Sequence, residues 1–404
     1  MSLVADRSAS ESLKEPAEIV PDGRTPRPGS LAFVFPCLNE EETLRSCIEE
    51  VSASLTTADC DFYIIVADNG STDRSIEIAK ECGARVVNVP ERGYGAALRG
   101  GIDAAESEYV MFADADSTYL YSDAGPLAIA ALSEQSDMAI ASRIRGEIED
   151  GAMPFLHRYL GTPVLTGLIN LFYKGKLSDC NSGFRCLRKE AFVSWNVRAS
   201  GMEFASELLI KALKANASTV EIPSGLRCGP PDRVAHLRTW RDGMRHLLFI
   251  LSERPQLFEW VGLGVTLLAT LLQAVAFMTG PMELAGNFNV FDLHSQLLLL
   301  FAATVGSQVF LVSCMIYLDS RERPLGVTRR LIELDEGVLF FALLATFAAI
   351  AGLIGFVFFR WVSSDFAGLA LTDVLVAGAH FLTIPALIAM GLLGIHLVKS
   401  VRPN

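Results

Sequence analysis

Beyond residue 255 the chain changes solvent. Four stretches, roughly 260–280, 294–317, 338–359 and 372–396, are long and apolar enough to cross a bilayer, where a helix needs about 20 such residues. A buried hairpin in a soluble core would explain one of them. Four in succession, nearly free of charge, predict an all-helical four-span transmembrane domain over 256–404. The loop between the first two spans has no Lys or Arg, whereas the loop between the second and third carries Arg321, Arg323, Arg329 and Arg330. Arginine-rich short loops stay in the cytoplasm. Four spans then put residues 31–255 and the tail with Lys399 and Arg402 on that face, with Arg360 as a minor exception. The expectation is a multi-pass integral membrane protein with a cytoplasmic domain.

Residues 1–30 hold Pro16, Pro21, Pro26 and Pro28 among mixed charges without apolar periodicity. Such a stretch cannot repay the entropy of ordering, and it reads as a disordered leader; it lacks the apolar core of a secretory signal. The eight cysteines form no zinc pattern and suit a reducing compartment. A formal net charge of −12 argues against a nucleic-acid partner.

Residues 31–255 read as an α/β domain. Apolar runs at 31–36, 62–67, 84–89 and 109–113 alternate with helical stretches. Strands apolar on both faces and separated by helices indicate a mostly parallel sheet, and ligands collect at the carboxyl ends of such strands. Polar clusters stand at those ends: Asn39 and Glu41, Asp68, Arg92, and Asp114 with Asp116. Paired carboxylates can hold Mg2+ or Mn2+ against a diphosphate, so Asp114 and Asp116 are the candidate metal ligands. Asp68-Asn69-Gly70-Ser71-Thr72-Asp73 can organise a turn and cap a helix, and Asp68 is expected to contact a nucleoside as well. Glu91-Arg92-Gly93-Tyr94-Gly95 suits close backbone approach to a ligand but lacks dinucleotide spacing.

The stretch 151–177 has aromatics, Arg158, Lys174 and Lys176 and no acidic residue after Gly151. That composition suits helices lying in a headgroup region, although a helix packed on the sheet explains it too. In Asp179-Cys180-Asn181-Ser182-Gly183-Phe184-Arg185, Ser182 and Arg185 can donate to an acceptor phosphate and Asp179 can orient substrate oxygens, or pair with Arg185. Glu203 and Glu207 follow on one helix face. Between 227 and 254 lie six arginines and no lysine. They suggest a second interfacial segment near 234–254, with Arg233, Arg238 and Arg241 toward a lipid phosphate or anionic headgroups.

On these motifs the chain resembles the polyprenyl-phosphate glycosyltransferases, such as dolichyl-phosphate mannose synthases and undecaprenyl-phosphate glucosyltransferases. The resemblance covers 31 to about 255. It implies a glycosyltransferase A-type fold, a nucleotide-sugar donor, a polyprenyl-phosphate acceptor, a divalent cation and often a homo-oligomer. It further implies that Pro36, Glu41, Asp68 and Asp114 line the nucleotide pocket, that Asp114 and Asp116 serve the metal, and that Arg185 meets the acceptor; Asn39 and Arg92, at the same strand ends, are expected in that pocket too. The run Arg227-Cys228-Gly229-Pro230-Pro231-Asp232-Arg233 departs from the simpler basic loop of that family.

The expected reaction is inverting transfer of one sugar from a UDP- or GDP-linked donor to a polyprenyl phosphate, with Asp116, Arg185 and Asp179 as catalytic residues. An anionic acceptor needs positioning rather than a general base. The rivals are a transferase for ceramide, diacylglycerol or sterol, which needs a base, and a noncatalytic scaffold, which intact Asp68, Asp114 and Asp116 oppose. Gln-x-x-Arg-Trp of processive synthases is absent.

Overall fold

The structure, a computed structural model, describes residues 31–230, 239–284, 288–318, 320, 322–364 and 372–401. The leader 1–30, Arg233, Arg238, Arg321 and Arg402 lie outside them. The chain divides into two compact units, one ending at Ile250 and the other beginning at Leu251.

The first unit is built on strands β1 (Leu31–Cys37), β2 (Phe62–Asp68), β3 (Arg85–Asn88), β4 (Tyr109–Phe112), β5 (Met138–Ser142), β6 (Arg185–Arg188) and β7 (Thr219–Pro223). Helices α1 (Leu44–Thr57), α2 (Ser75–Glu81), α3 (Tyr94–Ala104), α4 (Ala124–Ser133), α5 (Thr162–Tyr173), α6 (Lys189–Trp195), α7 (Phe204–Lys214) and α8 (Thr239–Ser252) complete it. The strands form one sheet in the order β3-β2-β1-β4-β6-β5-β7. All neighbours run parallel except β6, which is antiparallel to both β4 and β5. The sheet is mostly parallel, as the alternation of apolar runs and helices predicts.

Alternation along β1 shows how the sheet is covered. Leu31, Phe33 and Phe35 join one core cluster with residues of α1 and α4. Ala32 and Val34 point the other way, into a cluster with residues of α3, α5 and α7. Each large side chain fully removed from water contributes about 1.5–3 kcal/mol, so both layers hold the strand ends in place.

Two features of this order locate a site. Beyond β1 the chain fills the sheet on one side through β2 and β3, then returns to the other side with β4. The crevice between β1 and β4 is therefore a topological switch point. Second, Phe112 pairs with Arg185 in the antiparallel β4 and β6 ladder. The start of β6 consequently lies beside the carboxyl end of β4, and the loop before it meets the Asp114 turn.

The second unit contains α9 (Pro255–Thr279), α10 (Leu293–Ile316), α11 (Gly326–Ile332), α12 (Glu336–Ser363) and α13 (Thr372–Val401). Four of its helices are long and apolar enough to cross a membrane. It is not entirely helical, since β8 (Met282–Leu284) and β9 (Phe288–Val290) form a small antiparallel hairpin between the first two spans. Small residues let α9 and α10 approach closely: a Cβ on Gly262 would lie 2.4 Å from the Phe310 backbone nitrogen. Several buried polar groups inside are paired. Glu259 is fully buried and accepts from the Tyr317 hydroxyl at 2.7 Å and the Leu325 amide at 2.9 Å, and Gln273 donates to Gln296 at 2.9 Å.

In the first unit α3 packs just as tightly on the sheet. A Cβ on Gly101 would stand 2.4 Å from Val34 Cγ1 and 3.1 Å from Ala67 Cβ. Overpacking of this kind costs about 1–3 kcal/mol. Gly101→Ala is expected to lower stability by that amount, read as a fall in the thermal midpoint of the purified protein.

Candidate active site

The ends of β1 and β2 are laced together through polar side chains. Asn39, held at a left-handed φ of 57°, accepts from the Thr72 amide at 2.8 Å through Oδ1, while its own amide donates to Ser71 Oγ at 3.1 Å. The Glu41 amide donates to Asp73 Oδ2 at 3.0 Å and the Arg74 amide donates to Glu41 Oε2 at 3.1 Å. Pro36 pairs in register with Ala67, one residue short of the strand ends. Asp68 is buried, and its carboxylate accepts from the amides of Gly70 and Ser71. Asn69 ties this turn to the next loop, donating to the carbonyls of Val89 and Glu91 and accepting from the Gly93 amide. Arg92 donates to the Asn69 and Gly70 carbonyls. Its guanidinium fills the space a Cβ on Gly70 would need, and Gly70 has a φ of +90°. Pro36, Asn39, Glu41, Asp68 and Arg92 are thus gathered on adjoining loops, and Asp68 is first of all the organiser of its own turn.

Across the crevice, the 114–118 turn is fixed from several directions. Thr43, at the start of α1, donates through Oγ1 to the Ala115 carbonyl at 2.6 Å, and the Tyr121 hydroxyl donates to the Asp114 carbonyl. Asp116 Oδ1 accepts from the amide of Thr118 at 3.0 Å and from its hydroxyl at 2.6 Å. Both carboxylates are only partly buried. Among the described residues no group of three or more His, Cys, Asp or Glu could hold a metal by itself. A pair of carboxylates at a strand end fits a hard cation that takes its remaining ligands from phosphates and water.

The 179–185 loop reaches this turn. A Cβ on Gly183 would lie 3.1 Å from Asp114 Oδ2 and 3.2 Å from the hydroxyls of both Tyr94 and Tyr119. The Gly183 amide donates to the Tyr119 oxygen at 2.6 Å. Burial pushes the Tyr119 hydroxyl up to about 12, with Arg143 opposing and Asp114 adding to the rise. Tyr94 is raised by burial and then by Asp114, with which it hydrogen bonds. Both phenols stay protonated and available as donors at neutral pH.

The candidate acceptor donors lie deeper than the sequence suggests. Ser182 is fully buried and donates to the Ala141 carbonyl at 2.6 Å. Arg185 is 1% exposed and donates to the carbonyls of Cys180 at 2.9 Å and Ala205 at 3.1 Å. Both hold the loop rather than presenting free donors, because β6 begins inside the sheet. Asp179 pairs with Arg143 and not with Arg185: Nε to Oδ2 is 2.8 Å and the second guanidinium nitrogen to Oδ1 is 2.9 Å. Burial works to raise the Asp179 carboxyl, but the Arg143 guanidinium and two backbone amides hold it below its ordinary range. Arg143 stands one residue past β5, and a polar residue ending an apolar run was the signal for it. Glu207 accepts from the amides of Arg198 and Ala199 and pairs with Lys211, a structural role, while Glu203 is partly exposed at the start of α7. Arg241 is exposed on α8.

Helix α5 is apolar on two faces. Leu165, Ile169 and Tyr173 pack into the core, whereas Val164 and Leu171 are exposed, as are Phe155, Tyr159 and Leu160 just before it. The inner face is that of a helix packed on the sheet, and the outer face leaves apolar side chains exposed.

Residues 32–194 match the family model of glycosyl transferase family 2. The low-salt glycan biosynthesis hexosyltransferase Agl6 of Haloferax volcanii is 32% identical over 377 residues, covering 90% of this chain and 88% of that protein. The chain belongs to glycosyl transferase family 2. A dolichyl-phosphate hexose transferase of the same organism is 27% identical to this transferase over 195 residues, 48% of this chain and 81% of the relative. A crystal structure of glucosyl-3-phosphoglycerate synthase from Mycobacterium tuberculosis aligns with 55% of the transferase and 79% of its own chain, at 24% identity and a TM-score of 0.46. The protein is accordingly an enzyme of nucleotide-sugar transfer whose sheet domain precedes four apolar helices, which suit anchorage in a membrane.

The buried pair beside this site makes a stability prediction. Arg143→Met leaves Asp179 buried without its cation, which costs about 3–5 kcal/mol. The folded pKa of Asp179 lies below the unfolded value of about 3.9. The pair's contribution is therefore complete above that value and is lost as pH falls through the folded one. Thermal melts from pH 7 to pH 3 should show an acid-side loss of stability that is smaller in Asp179→Asn.

Proposed function

We propose that this transferase moves a single sugar from a UDP- or GDP-linked donor to a polyprenyl phosphate, with inversion, at the cytoplasmic face of a membrane. The observation that carries the reading is the meeting of the 114–118 turn with the 179–185 loop, beside a helix whose outer face is apolar and uncovered. A soluble sugar acceptor gives no reason for Phe155, Tyr159, Leu160, Val164 and Leu171 to face outward together. An acyl or prenyl chain does. The relative named as a dolichyl-phosphate hexose transferase supports the same acceptor class. Arg323, Arg329 and Arg330 in the short connection between α10 and α12 support the cytoplasmic side.

In this reading Asn39, Glu41, Asp68 and Arg92 shape the nucleotide pocket, with Pro36 behind them. Asp114 and Asp116 would hold Mg2+ or Mn2+. When bound, the ion neutralises charge developing on the departing diphosphate. Thr118 keeps Asp116 turned, and Tyr94 keeps Asp114 turned. The acceptor phosphate is anionic at neutral pH. One of its oxygens attacks the anomeric carbon, a new carbon–oxygen bond forms, and the bond to the diphosphate breaks on the opposite face. No proton has to be removed, so the chain's task is alignment. Asp179 and Arg185 position the 179–185 loop, and exposed cations such as Lys174, Lys176 and Arg241 attract the acceptor headgroup.

Purified protein is to be given radiolabelled UDP- and GDP-sugars and short polyprenyl phosphates, with and without manganese or magnesium. Metal-dependent formation of one lipid-linked monosaccharide is expected. Product with ceramide, diacylglycerol or sterol instead would overturn the acceptor, and no product from folded protein would overturn the reaction. Asp116→Ala should lower turnover at least about 100-fold, roughly 2.7 kcal/mol of barrier, while binding of the lipid phosphate persists.

A further inference from the structure

We propose that Arg227 and Glu50 form a strut that positions the aspartate turn of this site, so that the segment following β7 sets the geometry of the metal side. The inference rests on the reading of Asp114 and Asp116 as metal ligands.

Three contacts of Arg227 converge on one place. Its amide donates to the Thr118 carbonyl at 2.8 Å, its Nε donates to the Ser117 carbonyl at 2.7 Å, and its terminal nitrogen meets Glu50 Oε2 at 2.6 Å. The other oxygen of Glu50 accepts from the Tyr121 amide at 3.1 Å. The pair therefore grips both arms of the 117–121 stretch. A planar guanidinium donates to a carbonyl through one edge and pairs with a carboxylate through another in a fixed geometry, which the rotatable donors of an ammonium do not provide.

The turn needs such a grip. Ser117 has a φ of +58°, a left-handed conformation that a residue with a Cβ adopts only under constraint. Its neighbours are held by other elements: the Asp114 carbonyl by Tyr121, the Ala115 carbonyl by Thr43, and the Ser117 and Thr118 carbonyls by Arg227. Thr118 in turn orients Asp116. Without the Arg227 side chain the Ser117 carbonyl and Glu50 lose their shared partner, so Ser117 can relax out of its left-handed state and shift the Asp116 carboxylate with it, although the amide of residue 227 still reaches Thr118.

The arm bearing Arg227 is itself anchored on both sides. Ser224 Oγ and the Gly225 amide donate to Asp123 Oδ2, at 2.8 Å and 3.2 Å. The Leu226 amide donates to the Glu147 carbonyl at 2.9 Å, and the Cys228 amide donates to Glu149 Oε2 at 2.8 Å. A Cβ on Gly229 would lie 3.7 Å from the Asp116 carbonyl. Arg227 thus reaches the aspartate turn from a preset backbone, and this stretch departs from the basic loop expected of related enzymes. Arg227 and Glu50 are positioning residues: neither has to touch substrate.

The test compares full-length wild type, Arg227→Met, Arg227→Lys and Glu50→Gln in detergent, with UDP and GDP as probes. Amide hydrogen exchange in ligand-free protein should accelerate at least tenfold over 116–121 in Arg227→Met, and remain unchanged at 39–75. The gain in nucleotide affinity on adding MnCl2 should shrink at least tenfold, while metal-free affinity stays within twofold. Arg227→Lys and Glu50→Gln should be intermediate, each keeping one half of the strut. Wild-type exchange and wild-type manganese dependence in Arg227→Met would overturn the proposal. Faster exchange with no manganese dependence even in wild type would instead overturn the metal reading, and leave the strut as a structural brace only.

Discussion

The antiparallel pairing of β4 with β6 is the constraint on which the site depends. In an all-parallel sheet every strand begins at the face opposite the ligand, and only the loop after a strand can line the crevice. Because Phe112 pairs with Arg185 in the reverse sense, the loop before β6 arrives at the same edge as the loop after β4. Two polar motifs, 114–118 and 179–185, are brought within contact although the Tyr119 and Gly183 that join them are 64 residues apart. The intervening chain, including α4, β5 and α5, is the excursion that lets β6 enter from the ligand side. Arg185 carries the consequence: as the first residue of an interior strand its side chain is enclosed, and it donates to the backbone carbonyls of Cys180 and Ala205.

Polar groups in the two units are satisfied by opposite strategies. Around the crevice they are engaged mostly by loop amides, as with Asp68, Asn39 and Glu41. In the second unit, whose apolar helices suit a membrane, a bilayer offers no water as an alternative partner. Gln273 and Gln296 pair between α9 and α10, Glu259 is met by Tyr317 and Leu325 from the connection between α10 and α11, and close approach comes from Gly262 and Gly306.

What was legible in the sequence follows the same division. The apolar strands, the polar residues at their carboxyl ends and the four apolar helices are local patterns, and each is recognisable from a few consecutive residues. The direction of β6 is not local, because a four-residue strand has no signal for which way it runs. That single ambiguity explains why Ser182 and Arg185 read as open phosphate donors while Arg143, the true partner of Asp179, went unnoticed. Glu50 was hidden for a related reason. It looks like an ordinary helix-surface glutamate, and its partner Arg227 lies 177 residues further along the chain. The β8 and β9 hairpin was missed because three-residue strands between long apolar helices leave no periodicity to detect.

In the proposed reading, the donor and acceptor sides differ in how much of their geometry exists before substrate arrives. On the donor side, Asn39, Asp68, Asn69 and Arg92 are already engaged by neighbouring loops, and the carbonyls of Asp114, Ala115, Ser117 and Thr118 are held by Tyr121, Thr43 and Arg227, so little reorganisation is needed to receive a nucleotide. Preorganisation of that kind is where an enzyme gains most from fixed dipoles. On the side of α5 there are exposed rings and aliphatic groups with few polar contacts, a surface that can accept a greasy chain without matching its length. A transferase for a polyprenyl phosphate needs this asymmetry. The leaving diphosphate must be held rigidly in line, whereas the lipid is already confined by its membrane, and its phosphate requires only a direction of approach. Rigidity at the aspartate turn and tolerance at the apolar face are then two parts of one solution to bringing a charged donor to an interfacial acceptor.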